Sequence, residues 1–319
     1  MRVGVFTPLL SNLSLDEAIR KLAQLDIHHL ELATGNYVGD AHCKLSRLQS
    51  DTEVKEFKQK LQDRGVSISA LSCHGNPLHP DPQQAQHHRE VHRHTILLAE
   101  KLGVPFVVDF SGCPGDRPGA KAPNWITCPW PPDFSDVLHW QWDEVVSPYW
   151  IERAKFASDH GVKIAIEMHP GFVVYNPETL LRLRSIAGPS IGCNFDPSHL
   201  FWQNIDPISA VRLLGDAIFH VHAKDTQLYR QNLPLAGVLD TKPYTQVRER
   251  SWVFRTCGYG HGREWWSEFI STLRICGYDY VLSIEHEDSL MSPEEGLSKS
   301  AAFLNTIIMR EQPGSAWWA

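Results

Sequence analysis

Several common sequence features are missing from this chain of 319 residues, and each absence excludes a class of protein. The seven cysteines include no Cys-x-x-Cys pair, which is typical of a reducing compartment with buried single thiols. No apolar run approaches the length of a membrane span, and the short N-terminal run is interrupted by Pro8. A formal net charge of −7 argues against a nucleic-acid partner, which would need a basic surface. We therefore expect a cytoplasmic protein with neither a membrane nor a nucleic-acid partner.

Strand-like and helix-like segments alternate along the whole chain, with no change in composition that would indicate a linker. Eight apolar runs are predicted to be β-strands: 2–7, 29–34, 67–73, 106–110, 163–167, 190–196, 217–222 and 280–285. The alternation predicts an α/β fold with a parallel sheet, and eight repeats predict a closed (β/α)8 barrel as one domain over 1–319. An open doubly wound sheet is the alternative. It usually has a glycine-rich phosphate loop after its first strand, whereas 8–12 here read PLLSN.

Two connections are too long for simple turns, and we interpret both as covers of an active site. Residues 111–139 follow the fourth strand and 226–261 follow the seventh. The first is rich in tryptophan, which either stacks on sugar rings or packs the loop onto the barrel. The terminal pair Trp317-Trp318 either packs back on the barrel or forms an apolar patch for a homo-oligomer or a small partner subunit.

Four strands in succession end on side chains that can bind a metal: Glu167, Asp196, His222 and Glu285. Because parallel strands end on one rim of a barrel, we expect these side chains to converge. Three carboxylates in a partly dry pocket would repel each other and raise their pKa values, and a divalent cation would remove that conflict. Oxygen ligands with one imidazole suit Mn²⁺, Mg²⁺, Co²⁺ or Zn²⁺. A paired structural glutamate at a strand end is the alternative for any one of them.

Five short motifs occur in order along the chain: IEMHP (166–170), NFDPSHLFW (194–202), HVHAKD (220–225), GYGHGREWW (258–266) and SIEHED (283–288). Together they resemble the sugar phosphate isomerase/epimerase family of xylose-isomerase-like TIM barrels. Its members include ketose 3-epimerases, inosose dehydratase and endonuclease IV. The resemblance covers essentially the whole chain. It implies that Glu167, Asp196, His222 and Glu285 bind one divalent metal, most often Mn²⁺, which polarises the oxygens of a carbohydrate substrate.

The resemblance also implies the chemistry. A sugar isomerase or epimerase removes a proton next to a carbonyl, and in the epimerases the two strand-end glutamates, here Glu167 and Glu285, act as the acid/base pair. Lyases of the same superfamily that cleave 3-keto-glycosides, including the catalytic subunit of C-glycoside deglycosidases, use a histidine beside the metal as the base, which corresponds to His169. The sequence does not decide between isomerisation, epimerisation and elimination.

Five further residues are predicted to lie around this centre. His74, His199, Lys224 and Arg255 are expected to contact the substrate, Arg255 as an anion contact. Lys224 and Asp225 match the His-x-Lys-Asp pattern of the family, in which the aspartate orients a metal ligand. His220, one pleat deeper than the metal ligand of its strand, is expected to be a hydrogen-bonded core histidine.

Two other functions are less consistent with the sequence. A nuclease of the endonuclease IV type needs a histidine on the fourth strand, which here ends on Asp109-Phe110-Ser111. A non-catalytic sugar-binding protein would not need four convergent ligands, and degenerate members should lose one of them.

Overall fold

In a computed structural model, which describes residues 1–312, 314, 315 and 318, eight parallel strands close into a barrel in the order β1-β10-β7-β6-β5-β4-β3-β2. These strands are β1 Arg2–Phe6, β2 His29–Ala33, β3 Ser67–Ser72, β4 Phe106–Phe110, β5 Lys163–Glu167, β6 Ile191–Phe195, β7 Ile218–Ala223 and β10 Val281–Ile284. A separate antiparallel pair is formed by β8 Asp225–Leu228 and β9 Trp252–Arg255. The predicted (β/α)8 barrel is confirmed, with each barrel strand at the predicted place.

Helices connect the barrel strands: α1 Leu15–Ala23, α2 Asp51–Gln62, α3 Pro82–Leu102, α4 Pro132–Trp140, α5 Ser147–Asp159, α6 Pro177–Ala187, α7 Pro197–Trp202, α8 Pro207–Leu214, α9 Leu233–Ala236, α10 Arg263–Ile275 and α11 Pro293–Asn305. Gln141–Val146 forms a π-helical segment between α4 and α5. Local sequence fixes several boundaries. The side chains of Ser14 and Glu17 form a capping box at the start of α1, as their spacing indicates. Among the described residues, no helix combines the length and the apolar composition needed to cross a bilayer.

The two long connections contain more regular structure than the sequence indicates. Residues 111–131 are irregular and lead into α4, whereas the connection after β7 contains the β8–β9 hairpin and α9. Trp202 at the end of α7 stacks on Trp252 of the hairpin, with ring centroids 4.6 Å apart and nearly parallel. In the first connection, Trp125 packs edge-on against Tyr175, whereas Trp130 is 71% exposed. Trp317, part of the predicted terminal patch, lies outside the described residues.

Side-chain alternation along the strands separates the inside of the barrel from its outside. Ala70, Val108 and Ala165 of three neighbouring strands form a small apolar cluster with Phe219. Residues that alternate with these along each strand point outward and belong to the large core under the helices, as Ile164 does. Since side chains alternate with a period of two, the inward direction of Ala165 also directs the last residue of β5 into the barrel mouth.

Candidate metal centre

The four predicted metal ligands come together at the carboxyl ends of the strands. Glu167 is the last residue of β5, and Asp196 directly follows β6 as the N-cap of α7. His222 lies in β7, and Glu285 directly follows β10. One donor atom from each residue lies within 4.8 Å of the donor atoms of the other three. The chain thus places three carboxylates and one imidazole around a common centre.

Several of these donor atoms are buried without a hydrogen bond. Among the described residues, Nδ1 of His222, Oδ2 of Asp196 and Oε2 of Glu285 have no hydrogen-bond partner. His222 Nδ1 lies 3.2 Å from Glu167 Oε2 and 3.0 Å from Glu285 Oε2, but these ion-pair contacts lack the alignment of a hydrogen bond. Donor atoms of this type that point to one centre fit a divalent cation, which satisfies them together.

Lys224 provides a second positive charge at the centre. Its Nζ lies 3.0 Å from Asp196 Oδ2, 2.8 Å from Glu285 Oε2 and 3.0 Å from Glu287 Oε2. The side chain is buried. Burial alone would lower the pKa of this amine, but the surrounding carboxylates raise it well above its usual value. Lys224 is therefore charged and stabilises the carboxylates with which it is buried.

The pKa values of the glutamates differ from the expectation. Repulsion was expected to raise them, and burial does act in that direction. Lys224 and His222 outweigh burial at Glu285, and the pKa of that carboxyl is well below its usual value. The pKa of Glu167 is also held well below its usual value, because His222 and hydrogen bonds from neighbouring histidines outweigh burial. The expectation was wrong because it considered the carboxylates without the two cations placed among them.

Glu31 is a residue of the site that sequence reasoning did not assign. It lies at 0% exposure in β2, and both of its carboxylate oxygens accept from His222 Nε2, at 2.9 and 3.0 Å. The hydroxyl of Ser72 donates to Glu31 as well. An Nε2–H held by a carboxylate leaves Nδ1 as the nitrogen that can bind a cation. A glutamate inside the apolar strand HLELA was the signal that could have identified it.

Predicted substrate contacts His74 and His199 both touch the carboxylates of the centre. His74 Nε2 lies 3.0 Å from Glu167 Oε2, and His199 Nε2 lies 3.3 Å from both Glu167 Oε1 and Asp196 Oδ2. Asn194, also missed from sequence, donates from Nδ2 to Glu167 Oε2 at 2.9 Å. These contacts enclose Glu167 on several sides.

His169 lies at the edge of the centre and is partly exposed. Its Nδ1 lies 2.6 Å from the carbonyl oxygen of Pro170, so Nδ1 carries the hydrogen and Nε2 is the basic nitrogen. The ring centroid is 4.2 Å from that of His199 and 4.8 Å from that of Phe110. Burial, together with the neighbouring His199, lowers the pKa of His169 to about 3. The side chain is therefore a neutral imidazole next to the metal ligands.

Histidine 220 is the hydrogen-bonded core residue that the sequence predicts. Its Nδ1 lies 2.9 Å from Asn194 Oδ1, and its Nε2 lies 3.4 Å from Ser69 Oγ.

Arg255 and Asp225 have contacts outside the group of four ligands. Arg255 Nε pairs with Asp288 Oδ2 at 3.0 Å, and its guanidinium lies over the ring of Tyr259. Asp225 accepts from the backbone N–H of His261 at 2.9 Å and from neighbouring backbone and indole N–H groups. Asp225 therefore holds the segment after β9, whereas the sequence predicted that it orients a metal ligand.

The fold and these residues define a (β/α)8 barrel with side chains that could hold a metal ion at the carboxyl ends of its strands. The sequence profile of the xylose isomerase-like TIM barrel family matches residues 19–307, and the chain belongs to that family.

Two curated relatives differ in their sequence identity to this chain and in the share of it that they cover. An uncharacterized protein YfiH of Bacillus subtilis (strain 168) is 42% identical over 312 residues, which cover 97% of this chain and 99% of the relative. An inosose dehydratase of Geobacillus kaustophilus (strain HTA426) is 22% identical over 207 residues, 64% of this chain and 53% of the relative.

Solved structures share the fold. A D-tagatose 3-epimerase-like protein is 21% identical, with a TM-score of 0.63 over 96% of this chain and 98% of that chain. An IolI protein with a bound zinc atom is 16% identical, with a TM-score of 0.65 over 97% of this chain and 98% of that chain. At these identities the comparison shows that the fold is shared, and it shows nothing about the chemistry of this chain.

Proposed function

We propose that the protein is a divalent-metal-dependent sugar isomerase or epimerase that removes a proton next to a carbonyl of a carbohydrate. The observation on which this rests is the convergence of Glu167, Asp196, His222 and Glu285, with buried donor atoms that lack hydrogen bonds. These four residues would hold the cation, and their oxygen-rich donor set suits Mn²⁺, with Mg²⁺, Co²⁺ or Zn²⁺ as alternatives. When bound, a divalent cation supplies Lewis-acid stabilisation of the negative charge that develops on the substrate oxygens.

Three side chains are proposed to move protons. Glu167 and Glu285 are proposed as the acid/base pair, and His169 as a further base acting through Nε2. Glu285 is 16% exposed in its side chain, and His169 is also partly open to solvent, so a substrate can reach both. Glu167 is 3% exposed and enclosed by His74, His199 and Asn194. We therefore assign the first proton abstraction to Glu285 or His169.

The charges around the mouth favour a substrate without phosphate. Arg255, the predicted anion contact, pairs with Asp288, and Lys224 pairs with three carboxylates. Because both cations are already neutralised, we infer a free sugar or a glycoside. His74, His199 and Lys224 are as enclosed as Glu167, at 2% side-chain exposure, so we propose that they position the carboxylates, and the substrate contacts predicted for them stay predictions.

The test is proton exchange with a defined metal supply. Chelator-treated protein is supplied with Mn²⁺ in deuterium oxide and incubated with ketoses, sugar phosphates, 3-keto-glycosides and, as a nuclease control, DNA with an abasic site. We expect deuterium to enter a free sugar or a glycoside only when metal is present, and Glu285→Gln to lose this exchange. Glu100→Gln, which changes an exposed carboxylate paired with His160, should keep it. Metal-independent exchange, or cleavage of the DNA alone, would refute the proposal.

Elimination is the second candidate reaction. It is supported by the inosose dehydratase among the relatives and by His169, whose Nε2 offers a base distinct from the metal-ligand carboxylates. In this reaction the base takes the proton next to the carbonyl, and the β-substituent leaves with a proton as the double bond forms. Release of an aglycone or of water with a new conjugated ketone, detected by near-ultraviolet absorbance, distinguishes it from isomerisation.

A further inference from the structure

A second group of metal-binding side chains lies outside the barrel wall, behind the centre at the mouth. Cys73 follows β3, Asp109 lies in β4, and His92 lies in α3, which packs over these two strands. The backbone N–H of Cys73 donates to the carbonyl of Val108 at 3.0 Å, which places the cysteine beside Asp109. Val108 faces the inside of the barrel, so its neighbour Asp109 faces outward to α3.

The three side chains are at 0% exposure, and their donor atoms lie within 4.8 Å of one another. His92 Nδ1 is 3.1 Å from Asp109 Oδ2, but the contact lacks the alignment of a hydrogen bond. Among the described residues, neither ring nitrogen of His92 nor Oδ2 of Asp109 has a hydrogen-bond partner. Polar atoms buried without aligned hydrogen bonds favour a ligand that satisfies them together.

Backbone hydrogen bonds occupy only one of the two carboxylate oxygens of Asp109. Oδ1 of Asp109 accepts from the backbone N–H of Gly75 at 2.7 Å and from its neighbour Phe110 at 2.8 Å. Oδ2 is directed to His92. A protonated histidine could balance this carboxylate, but burial lowers the pKa of His92 despite the nearby charge of Asp109. The neutral form of the imidazole is therefore favoured, and its unprotonated nitrogen can bind a cation.

We propose that Cys73, His92 and Asp109 form a second, structural metal site that binds Zn²⁺ or a cation of similar softness. A thiolate and a carboxylate supply two negative charges, so the site with a bound divalent cation is neutral, which suits its full burial. The thiolate favours Zn²⁺ over Mn²⁺ and Mg²⁺, and binding forms the metal–sulfur bond as the thiol proton leaves to solvent. Zn–S bonds are about 2.3 Å long and Zn–N bonds about 2.0 Å, so one zinc ion can bridge donors up to ~4 Å apart. Small side-chain rotations would bring the three donors within this distance.

The position of this site gives it a structural role. Cys73 directly precedes His74, and Asp109 holds the backbone of Gly75, so a cation here would fix the segment that carries His74. His74 in turn contacts Glu167 at 3.0 Å in the mouth. Since none of the three donor residues is exposed, we expect the cation to enter as the chain folds and to resist chelators afterwards.

Cobalt spectroscopy tests the proposal independently of the catalytic function. Protein produced in medium with Co²⁺ in place of Zn²⁺ should show thiolate-to-cobalt charge-transfer absorption in the near ultraviolet, which the mouth ligands cannot produce because they include no sulfur. We expect the band and one chelator-resistant metal per chain in the wild type and in the double variant Glu167→Gln/His222→Gln. Cys73→Ser should lose both, whereas Cys113→Ser, which changes another buried thiol, should keep both.

The wild-type protein alone can overturn the proposal, so the test does not depend on whether a variant folds. Folded wild-type protein without the thiolate band and without chelator-resistant metal would refute it, as would a Cys73→Ser protein that keeps the band. X-ray absorption at the zinc edge gives a second measurement: one sulfur neighbour of the metal supports the site, and only oxygen and nitrogen neighbours refute it.

Discussion

Replacing Glu31 by glutamine should weaken metal binding at the mouth although Glu31 is not one of the four proposed ligands. Its two oxygens receive the Nε2–H of His222 at 2.9 and 3.0 Å, in a pocket that water does not reach. Glutamine exchanges one oxygen for an NH₂ group, which removes the negative charge and can donate to Nε2. The histidine then carries its hydrogen on Nδ1, the nitrogen that faces Glu167 and Glu285. A hydrogen bond to a charged group contributes about 1.5–3 kcal/mol.

That energy corresponds to a loss of about 10–100-fold in metal affinity. A loss of this size is typical when the hydrogen-bond partner of a metal-ligating histidine is changed. The assay is calorimetric titration of chelator-treated protein with Mn²⁺, after circular dichroism has shown that the variant is folded. Glu100→Gln is the matched control, because Glu100 also pairs with a histidine, His160 Nδ1 at 2.8 Å, but on the surface. A Glu31→Gln protein that binds Mn²⁺ within about twofold of the wild type would refute the assignment of the histidine tautomer.

Three predictions concern stability and are measured by urea unfolding. Gly192→Ala should lower the free energy of unfolding by about 1–3 kcal/mol, since a Cβ would lie 2.3 Å from the ring of Phe219; an unchanged midpoint contradicts this. Trp252→Ala should cost about 3–5 kcal/mol through loss of the stack on Trp202, with a smaller cost for Trp252→Phe; equal costs would show that ring area is not the cause. Ser14→Ala should cost about 1 kcal/mol and Ser14→Thr much less, because a hydroxyl caps α1; equal stability of the two variants would contradict the capping role.

The barrel and its four convergent residues could be predicted from sequence because each depends on local information. An apolar run such as 163–167 is typical of a strand buried on both faces, and a carboxylate at its end is out of place unless a partner satisfies it. Parallel strands in one barrel end on the same rim, so the ends of four strands predict one site. Glu167 and Asp196 could be assigned in this way without any knowledge of their contacts.

Contacts between distant parts of the chain could not be predicted in this way. Glu31 and His222 are 191 positions apart, and their hydrogen bond depends on how the barrel closes. Barrel closure also places Lys224 between carboxylates. Its positive charge lowers the pKa of Glu285, which repulsion between carboxylates was expected to raise. The outward group has no sequence pattern, because Cys73 follows one strand, Asp109 lies in another and His92 lies in a helix, with unrelated spacing.

Glu167 and Glu285 have different surroundings at the barrel mouth, and this difference limits which proton transfers each of them can carry out. Glu167 receives hydrogen bonds from His74 and Asn194, so a proton taken up there would have to displace existing donors. Glu285 forms ion pairs with Lys224 and His222, and its side chain is partly exposed. A sugar bound as proposed would therefore reach Glu285 before Glu167. Epimerisation needs proton transfer on both faces of one carbon, whereas elimination needs one base and one acid. Under the proposed function, this enclosure makes Glu167 the less accessible member of the acid/base pair, and the partly exposed His169 is the alternative second proton-transfer group.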